Sequence, residues 1–204
     1  MRTRARRERE KQDMRVAILE AATKIIIKEG YEKLSMRKIA DAIEYTPTTL
    51  YNYYEDKAEI IDGISRELYI KIVSAIKVIL RDNKSLPIDK QLELSFKVFI
   101  YTMTDNAEMG KAVMRSGTRA IFGPDEKSNP DSDDGILMLH ALLHDGQEQS
   151  VFRKLDENVS WMLISALLGF SMNAIENQLY LNECWDSLVD TYVEILTNGI
   201  MPIK

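Results

Sequence analysis

The chain is poor in residues that cross-link a protein or hold it in a membrane. Its 204 residues include a single cysteine, Cys184, and only two histidines. One cysteine excludes an internal disulfide framework and is consistent with a reducing cytoplasm, where we expect the protein to act. No run of eighteen apolar residues occurs, so we expect no membrane-spanning helix. The first residues are charged, unlike the apolar core of a secretory signal.

Patterns typical of β-strands are also missing. No stretch alternates strictly between apolar and polar residues over the length of a strand. Apolar residues instead recur at helical spacing through most of the chain. We therefore predict an all-α fold of about nine helices, and 45% hydrophobic residues are enough for a sizeable core.

The net charge of −5 is unevenly distributed along the chain. Residues 1–60 carry 13 Lys and Arg against 11 Asp and Glu, whereas the remainder carries 14 against 21. Residues 1–11 alone have six basic and two acidic side chains. A basic end on an acidic body is typical of a protein that meets phosphate with one end only, although a solvated helix start would show the same pattern.

Three helical patterns follow one another closely in the first sixty residues. The first ends at about Glu29, before Gly30, and its core-facing residues are Ile18, Ala21, Ala22, Ile25 and Ile26. The second follows the capping residue Ser35 and repeats the pattern at Met36, Ile39, Ala40 and Ile43. Only Glu44 and Tyr45 separate it from the third. Two short amphipathic helices joined so tightly are typical of a helix-turn-helix, here residues 35–54.

The third helical pattern begins at residue 46. We call residues 46–57 the recognition segment. Thr46 is a good N-cap, and Pro47 falls at the first helical position, where its missing N–H costs nothing. Leu50 and Tyr54 share one face and can point inward. The opposite face is rich in hydroxyl, amide and phenol groups, which indicates a surface that grips or reads a partner such as DNA.

Longer helices are predicted after this segment. One runs from about Asp56 to Asp82, roughly 25 residues or about 37 Å, and we interpret it as a strut between two structural units. Further helices are predicted over residues 88–104, 107–116, 136–144, 156–178 and 183–198. Residues 123–135 form a polar, turn-rich loop, and Asp145 with Gly146 is expected to end the helix over 136–144.

Five blocks in the first third resemble the TetR family of bacterial transcriptional regulators. They are I-L-E-A-A from Ile18, Gly30, S-M-R-K-I-A from Ser35, T-L-Y-N-Y-Y from Thr49 and K-A-E-I-I from Lys57. The chain departs from the usual pattern at Ile43 and Glu44, where Ala-Gly is common, and at Thr48, where Gly is frequent. Residues 146–152, G-Q-E-Q-S-V-F, also resemble the connector before the family's penultimate helix.

The resemblance implies a regulator without cofactor or enzymatic activity. It implies a basic arm at 1–11, a DNA-binding domain at 12–56, a connecting helix at 57–82 and an effector and dimerisation domain at 83–204. A homodimer would place two recognition helices in major grooves about 34–36 Å apart on a near-palindromic operator. A small, partly hydrophobic effector would release this repressor from DNA.

The same resemblance assigns three side chains to the DNA backbone: Tyr51, Tyr53 and Lys57. Their hydroxyl and ammonium groups can donate to phosphate oxygens without reading sequence. The alternatives are a core position for Tyr53 and a solvated helix start for Lys57.

Base contacts are expected from four residues of the recognition segment, Pro47, Thr48, Thr49 and Asn52. Threonine methyls can touch the thymine methyl, and an asparagine amide can pair with adenine. Thr48 and Thr49 could instead serve in helix capping, which would not prevent contact.

The segments before the recognition segment offer further candidates. Arg37 could reach a base or a phosphate, and Ser35 and Met36 begin a helix whose free N–H groups favour phosphate. The arginines of residues 1–11 could enter the minor groove, or they could form a loose solvated tail.

Two apolar sets are expected in the C-terminal part. Those for an effector pocket are Phe96, Phe99, Met103, Met114 and His140, and simple core packing would explain the same pattern. Those for a four-helix dimer interface are Trp161, Ile164, Leu168, Ile175, Trp185, Leu188, Tyr192 and Leu196, with internal packing as the alternative.

Two other classes of function compete with a regulator. His140 and His144 lie four residues apart on one predicted helix, a spacing that suits a metal-dependent enzyme with Asp145 nearby. No further ligand joins them by spacing, so we expect ordinary packing and no metal. Cys184 has no neighbouring charges that favour a thiolate. A helical adaptor that binds protein instead of DNA is the remaining alternative.

Overall fold

A computed structural model describes residues 2–115, 135–156 and 158–202. All regular structure in these ranges is helical, which confirms the predicted all-α fold. The nine α-helices found there are α1 (Arg2–Glu29), α2 (Met36–Ala42), α3 (Pro47–Leu50), α4 (Lys57–Asp82), α5 (Ile88–Asp105), α6 (Ala107–Arg115), α7 (Gly135–Glu148), α8 (Val159–Glu176) and α9 (Trp185–Asn198). Single 3₁₀ turns lie at Tyr31–Lys33 and Leu179–Leu181. Apart from Gly135, the loop predicted over 123–135 lies outside the described residues.

The described residues divide into two compact units. The first comprises residues 2–68 and 107–115, and the second comprises the rest. Helix α4, interpreted from the sequence as a strut between two units, contributes to both of them, and α6 belongs with the N-terminal helices. In the first unit α1 packs against α2 and α6. Its fully buried residues include Ile18, Ile26, Ile39, Leu50, Ile60, Ile61 and Ile64.

The basic segment at the start of the chain is part of α1. The helix begins at Arg2 and continues without interruption to Glu29, so the expectation of a loose tail is wrong for these residues. Arg, Glu and Lys are good helix formers, and Arg6 pairs with Glu10 one turn later, with Nε 2.7 Å from Oε1. The first turns therefore hold a basic surface in helical geometry.

In the second unit α5 packs against α7, α8 and α9. Two polar contacts join α5 to α9: the Tyr101 hydroxyl donates to Asp186 at 2.8 Å, and Lys97 Nζ lies 2.6 Å from Asp190. Burial and then the hydrogen bond to this carboxylate raise the pKa of Tyr101. Helix α8 is long and apolar enough to cross a membrane by length and composition. It packs against α5 and α7, however, and buries one face in this core, as the central helix of a globular domain does.

Helix α7 does not end where the sequence predicted. Asp145 and Gly146 lie inside the helix, which runs to Glu148, and the chain turns at Ser150, whose φ is +56°. Gly146 is needed for space: a Cβ there would lie 2.1 Å from the Phe152 ring. The Gly146 carbonyl also accepts from the N–H groups of Val151 and Phe152 at 2.9 and 3.0 Å. Gly146 thus allows the connector, residues 146–152, to pack against the end of α7.

Candidate nucleic-acid interface

The turn between α2 and α3 is a Schellman motif. Ser35 caps the start of α2, its side chain accepting from Lys38 N at 3.2 Å, and the inner residues Ile39 and Ala40 of this helix are buried. At its end Tyr45 N donates to Ala40 O at 2.9 Å and Glu44 N donates to Asp41 O at 3.4 Å. This pattern places residue 44 in the left-handed region, where Glu44 has φ of +60°. A glutamate therefore occupies a position that suits glycine.

The recognition segment enters α3 as predicted. Thr46 Oγ1 accepts from Thr49 N at 3.3 Å, and Pro47 is the first helical residue. Regular helix covers only Pro47–Leu50, and further turns follow, with Tyr53 N donating to Leu50 O at 2.9 Å. Leu50 and Tyr54 are buried, which confirms their inward orientation.

The residues expected to touch DNA come together in the first compact unit, since α2 and α3 pack against each other. The most accessible of them are Ser35, Arg37, Thr48, Tyr51 and Asn52. Met36, Pro47, Thr49, Tyr53 and Lys57 are partly covered. The Tyr51 side chain is 55% exposed although it is aromatic, and the neighbouring Tyr45 is 47% exposed. Two phenols thus border the hydroxyl and amide groups.

Lys57 is neither a free cation nor a solvated helix start. Its Nζ donates to the Tyr31 carbonyl at 2.9 Å and lies 3.6 Å from the centre of the Tyr31 ring. Desolvation in this position lowers the pKa of Lys57. One of the three ammonium donors is therefore used inside the protein, and only the others can serve a phosphate.

Arg15 is a further residue of this candidate interface, and it was not predicted from the sequence. Its Nη1 donates to the Tyr53 carbonyl at 2.5 Å, and its Nη2 lies 3.1 Å from Glu59 Oε1. The guanidinium lies 4.2 Å from the centre of the Tyr54 ring. Its position three residues before Ile18 places a charge on the core-facing stripe of α1, which is the one signal in the sequence that could have indicated this role.

Glu59 extends these contacts to the start of α4. Its Oε2 accepts from Glu55 N at 2.6 Å, while its own N–H donates to Asp56 Oδ1 at 2.9 Å. Asp56 and Glu59 thus cap the start of α4 reciprocally, with the glutamate turned to residue 55. Helices α1 and α4 therefore hold the C-terminal end of the recognition segment from two sides.

Two ion pairs join other elements of the first unit. Lys38 of α2 contacts Glu29 at the end of α1, and this hydrogen bond lowers the pKa of Glu29. Arg115 of α6 contacts Glu32, 2.5 Å from Nη1 to Oε1. Hydrogen bonds from the backbone and from Arg115 lower the pKa of Glu32. Helix α6 is thereby tied to the unit that carries the recognition segment.

The residues expected to line an effector pocket come from both compact units. Phe96, Phe99 and Met103 are buried, and His140 is partly covered, all in the second unit. Met114 is half exposed and belongs to the first unit. In the described part of the chain no group of three or more His, Cys, Asp or Glu side chains is placed to hold a metal ion. His144 Nδ1 lies 3.8 Å from Asp145.

The expected dimer residues divide between core and surface. Ile164, Ile175 and Trp185 are buried in the chain's own core, so the expectation that they present an outer face is wrong. Trp185 stacks on Phe170 with ring centres 5.8 Å apart, and this contact holds it inside. The members that keep accessible surface are Trp161, Leu168, Leu188, Tyr192 and Leu196.

Two exposed apolar residues of α8 and α9 were not predicted for this surface. Met162 is 67% exposed and Ile195 is 63% exposed. Both helices have apolar residues on their inner and outer sides, so spacing alone does not separate the two faces.

The helix-turn-helix, capped at both helix starts and held by Arg15, defines a protein of the DNA-binding class. Residues 18–64 match the family model of bacterial regulatory proteins, tetR family. Residues 18–64 therefore carry the DNA-binding domain of this family, whose members are DNA-binding transcription factors and not enzymes.

Solved structures share the fold over nearly the whole chain. A TetR-family regulator from Pectobacterium atrosepticum has a TM-score of 0.72 and 16% identity, covering 95% of this chain and 97% of that one. A TetR-family regulator from Haemophilus influenzae RD has a TM-score of 0.64 and 16% identity, covering 95% and 99%. The fatty acid degradation regulator of Bacillus halodurans has a TM-score of 0.67 and 18% identity, covering 90% and 94%. No curated protein matches the sequence.

Proposed function

We propose that the chain is a cytoplasmic repressor that binds a near-palindromic operator as a homodimer and leaves it when a small molecule binds. The observation that carries the proposal is the exposed face of residues 46–57. Thr48, Tyr51 and Asn52 lie on this face, and the short helix does not need their exposed side chains for its own stability. Capping by Thr46 and the Arg15 contact to the Tyr53 carbonyl support a fixed orientation of that face. Preorganised groups of this kind bind without a large ordering cost.

Within this proposal the side chains divide by chemistry. Tyr51, Tyr53 and Lys57 hold phosphates, while Pro47, Thr48, Thr49 and Asn52 face base edges. Arg37, with Ser35 and Met36 beside it on α2, contacts the adjoining strand. The Lys57 ammonium, already bonded to Tyr31, contributes as a positioned donor and not as a mobile charge.

The same proposal assigns a function to each part of the chain. Residues 12–56 bind DNA, residues 57–82 connect, and residues 83–204 bind the effector and dimerise. An effector contacting Phe96, Phe99, Met103 or His140 would have to be partly apolar, because three of these four side chains are hydrocarbon or thioether. Helix α4 contributes residues to both compact units, so a shift of this helix on effector binding would reach the DNA-binding helices.

The dimer in this proposal uses the outer faces of α8 and α9. Trp161 and Met162 on α8, with Leu188 and Ile195 on α9, leave an apolar surface that a monomer would expose to water. Patches of this kind mark protein interfaces. The accessible members of the predicted set, Leu168, Tyr192 and Leu196, would complete it.

The decisive experiment is a fluorescence-anisotropy titration against duplexes cut from the DNA that flanks its own gene, repeated at several salt concentrations. The repressor should bind one duplex tightly, and its affinity should fall steeply as salt rises. Tyr51→Phe should weaken binding by removing one phosphate donor, and Tyr51→Ala should abolish it, with the dimer intact. Tyr180→Phe removes a hydroxyl from the second unit and should change nothing. Absent or salt-independent binding by the unchanged protein would overturn the proposal.

A further inference from the structure

A basic stripe on α1 extends the surface that carries the recognition segment. The apolar residues that pack α1 into the first unit are spaced three or four apart, at Ile18, Ala22 and Ile25. Continued towards the start of the helix, the same spacing passes through Arg15, Lys11, Arg7 and Arg4. Residues at this spacing share one side of a helix. The stripe is therefore apolar where α1 is covered by protein and basic where it is not.

Arg15 shows which way this stripe faces. Its guanidinium reaches the Tyr53 carbonyl, so the side of α1 that carries the stripe is the side next to the recognition segment. Arg4 lies eleven residues before Arg15, a distance of about 16 Å along the helix axis. Arg4, Arg7 and Lys11 are exposed, and in the described part of the chain they make no ion pair or hydrogen bond. Three cations thus project beyond the helix-turn-helix without a protein partner.

The opposite side of the same turns is electrically balanced. Arg6 is paired with Glu10, and Arg9 shares that side with Asp13. The opposite side thus has as many acids as cations, whereas the stripe has three cations and one acid beside it, Glu8, which pairs with none of them in the described residues. A helix that only needed solubility would have no reason to sort its charges in this way.

We propose that Arg4, Arg7 and Lys11 bind the phosphate backbone of duplex DNA just outside each half-site. This inference rests on the proposed function, since the stripe can reach that DNA only when the recognition segment is bound. Binding here is electrostatic and independent of sequence, so it lengthens the contacted site without changing which bases are read. The helical form matters, because a rigid helix presents the three cations in register at no further ordering cost.

Two double variants with the same change of charge test the inference. R4Q/R7Q removes two cations from the stripe, and R6Q/R9Q removes two from the opposite side, while glutamine keeps the helix propensity similar. Both are titrated against the shortest duplex from the DNA upstream of its own gene that contains the two half-sites and nothing beyond them, and against the same duplex lengthened by ten base pairs at each end. Circular dichroism checks that α1 remains helical.

The unchanged protein should bind the lengthened duplex about tenfold or more tightly than the short one. R4Q/R7Q should lose that gain, and its salt slope on the long duplex should be shallower by about three to four, as expected for two phosphate contacts per protomer in a dimer. R6Q/R9Q should keep most of the gain in affinity on the lengthened duplex and most of the salt slope. Equal losses in the two variants, or no gain from the added base pairs, would overturn the inference while leaving the proposed function standing. Failure of the unchanged protein to bind the short duplex would instead overturn the proposed function.

Discussion

Arg15 of α1 donates a hydrogen bond to the main-chain carbonyl of Tyr53, 38 residues further along the chain. That carbonyl lies in the turn after α3, where the short helix can no longer supply a partner for it. The second arm of the guanidinium is held by Glu59 at the start of α4. One side chain therefore fixes the end of the recognition segment relative to two longer helices.

Replacing Arg15 should weaken operator binding through geometry. Arg15→Lys keeps the charge but loses the planar fork that serves Tyr53 and Glu59 together, so affinity should fall about tenfold. Arg15→Ala should lose at least as much and should lower the free energy of unfolding by about 1–2 kcal/mol, because it leaves the Tyr53 carbonyl without its partner. Anisotropy titrations and urea denaturation measure the two effects. Wild-type affinity in the lysine variant would mean that Arg15 acts by charge alone.

Glu44 should be a point of backbone strain. A left-handed conformation costs a residue with a Cβ about 1–2 kcal/mol, and glycine avoids this cost while losing some stability through its more flexible unfolded state. Glu44→Gly should therefore raise the free energy of unfolding, by roughly 0.5–1 kcal/mol. Glu44→Ala keeps the Cβ and serves as the control in the same urea titration. Equal gains for alanine and glycine would assign the effect to the lost carboxylate instead.

The parts of this fold that are governed by neighbouring residues could be predicted from the sequence. Capping by Thr46, the N1 position of Pro47 and the inward orientation of Leu50 and Tyr54 depend on contacts within one or two helical turns. Periodicity likewise located the helices, with ends misplaced by a few residues. The end of α7 was missed because Gly146 serves tertiary packing against Phe152 and not helix termination.

Contacts between distant segments could not be predicted in this way. Lys57 was expected to meet a DNA phosphate or to be solvated, and nothing near it in sequence suggested that Tyr31 would lie beneath its ammonium. On α8, Ile164 and Met162 are both apolar, yet Ile164 is buried and Met162 is 67% exposed. Which side of such a helix faces inward depends on where the neighbouring helices pack, and spacing carries no information on that.

Gly146 should tolerate no side chain. An added Cβ would overlap the Phe152 ring, and the ring is held by the hydrogen bonds from residues 151 and 152 to the Gly146 carbonyl. Overpacking of this kind costs about 1–3 kcal/mol, so Gly146→Ala should lower the urea midpoint accordingly. Phe152→Leu provides the control, since the smaller side chain should make the alanine at 146 less costly than in the single variant. Simple addition of the two losses would show that the positions do not interact.

Gly169 on α8 offers a test of the dimer that leaves the protomer intact. It is exposed and shares its side of the helix with Met162 and Ser165, and a Cβ at this position would meet no atom within 4 Å. A bulky side chain is therefore tolerated by the isolated chain. It would nevertheless separate two helices that pack through this surface, because small residues such as Ser165 and Gly169 allow their close approach.

Gly169→Trp should consequently shift the protein from dimer to monomer while its helical content is unchanged. Light scattering after size-exclusion chromatography measures the mass, and circular dichroism measures the helices. Operator affinity should fall by about 100-fold, since each module would then bind its half-site without the effective concentration that a linked partner provides. Lys84→Trp places the same side chain on an exposed connector of the second unit and should remain dimeric. A dimer of unchanged affinity in Gly169→Trp would exclude this face of α8 from the interface, and the exposed residues of α9 alone would have to account for it.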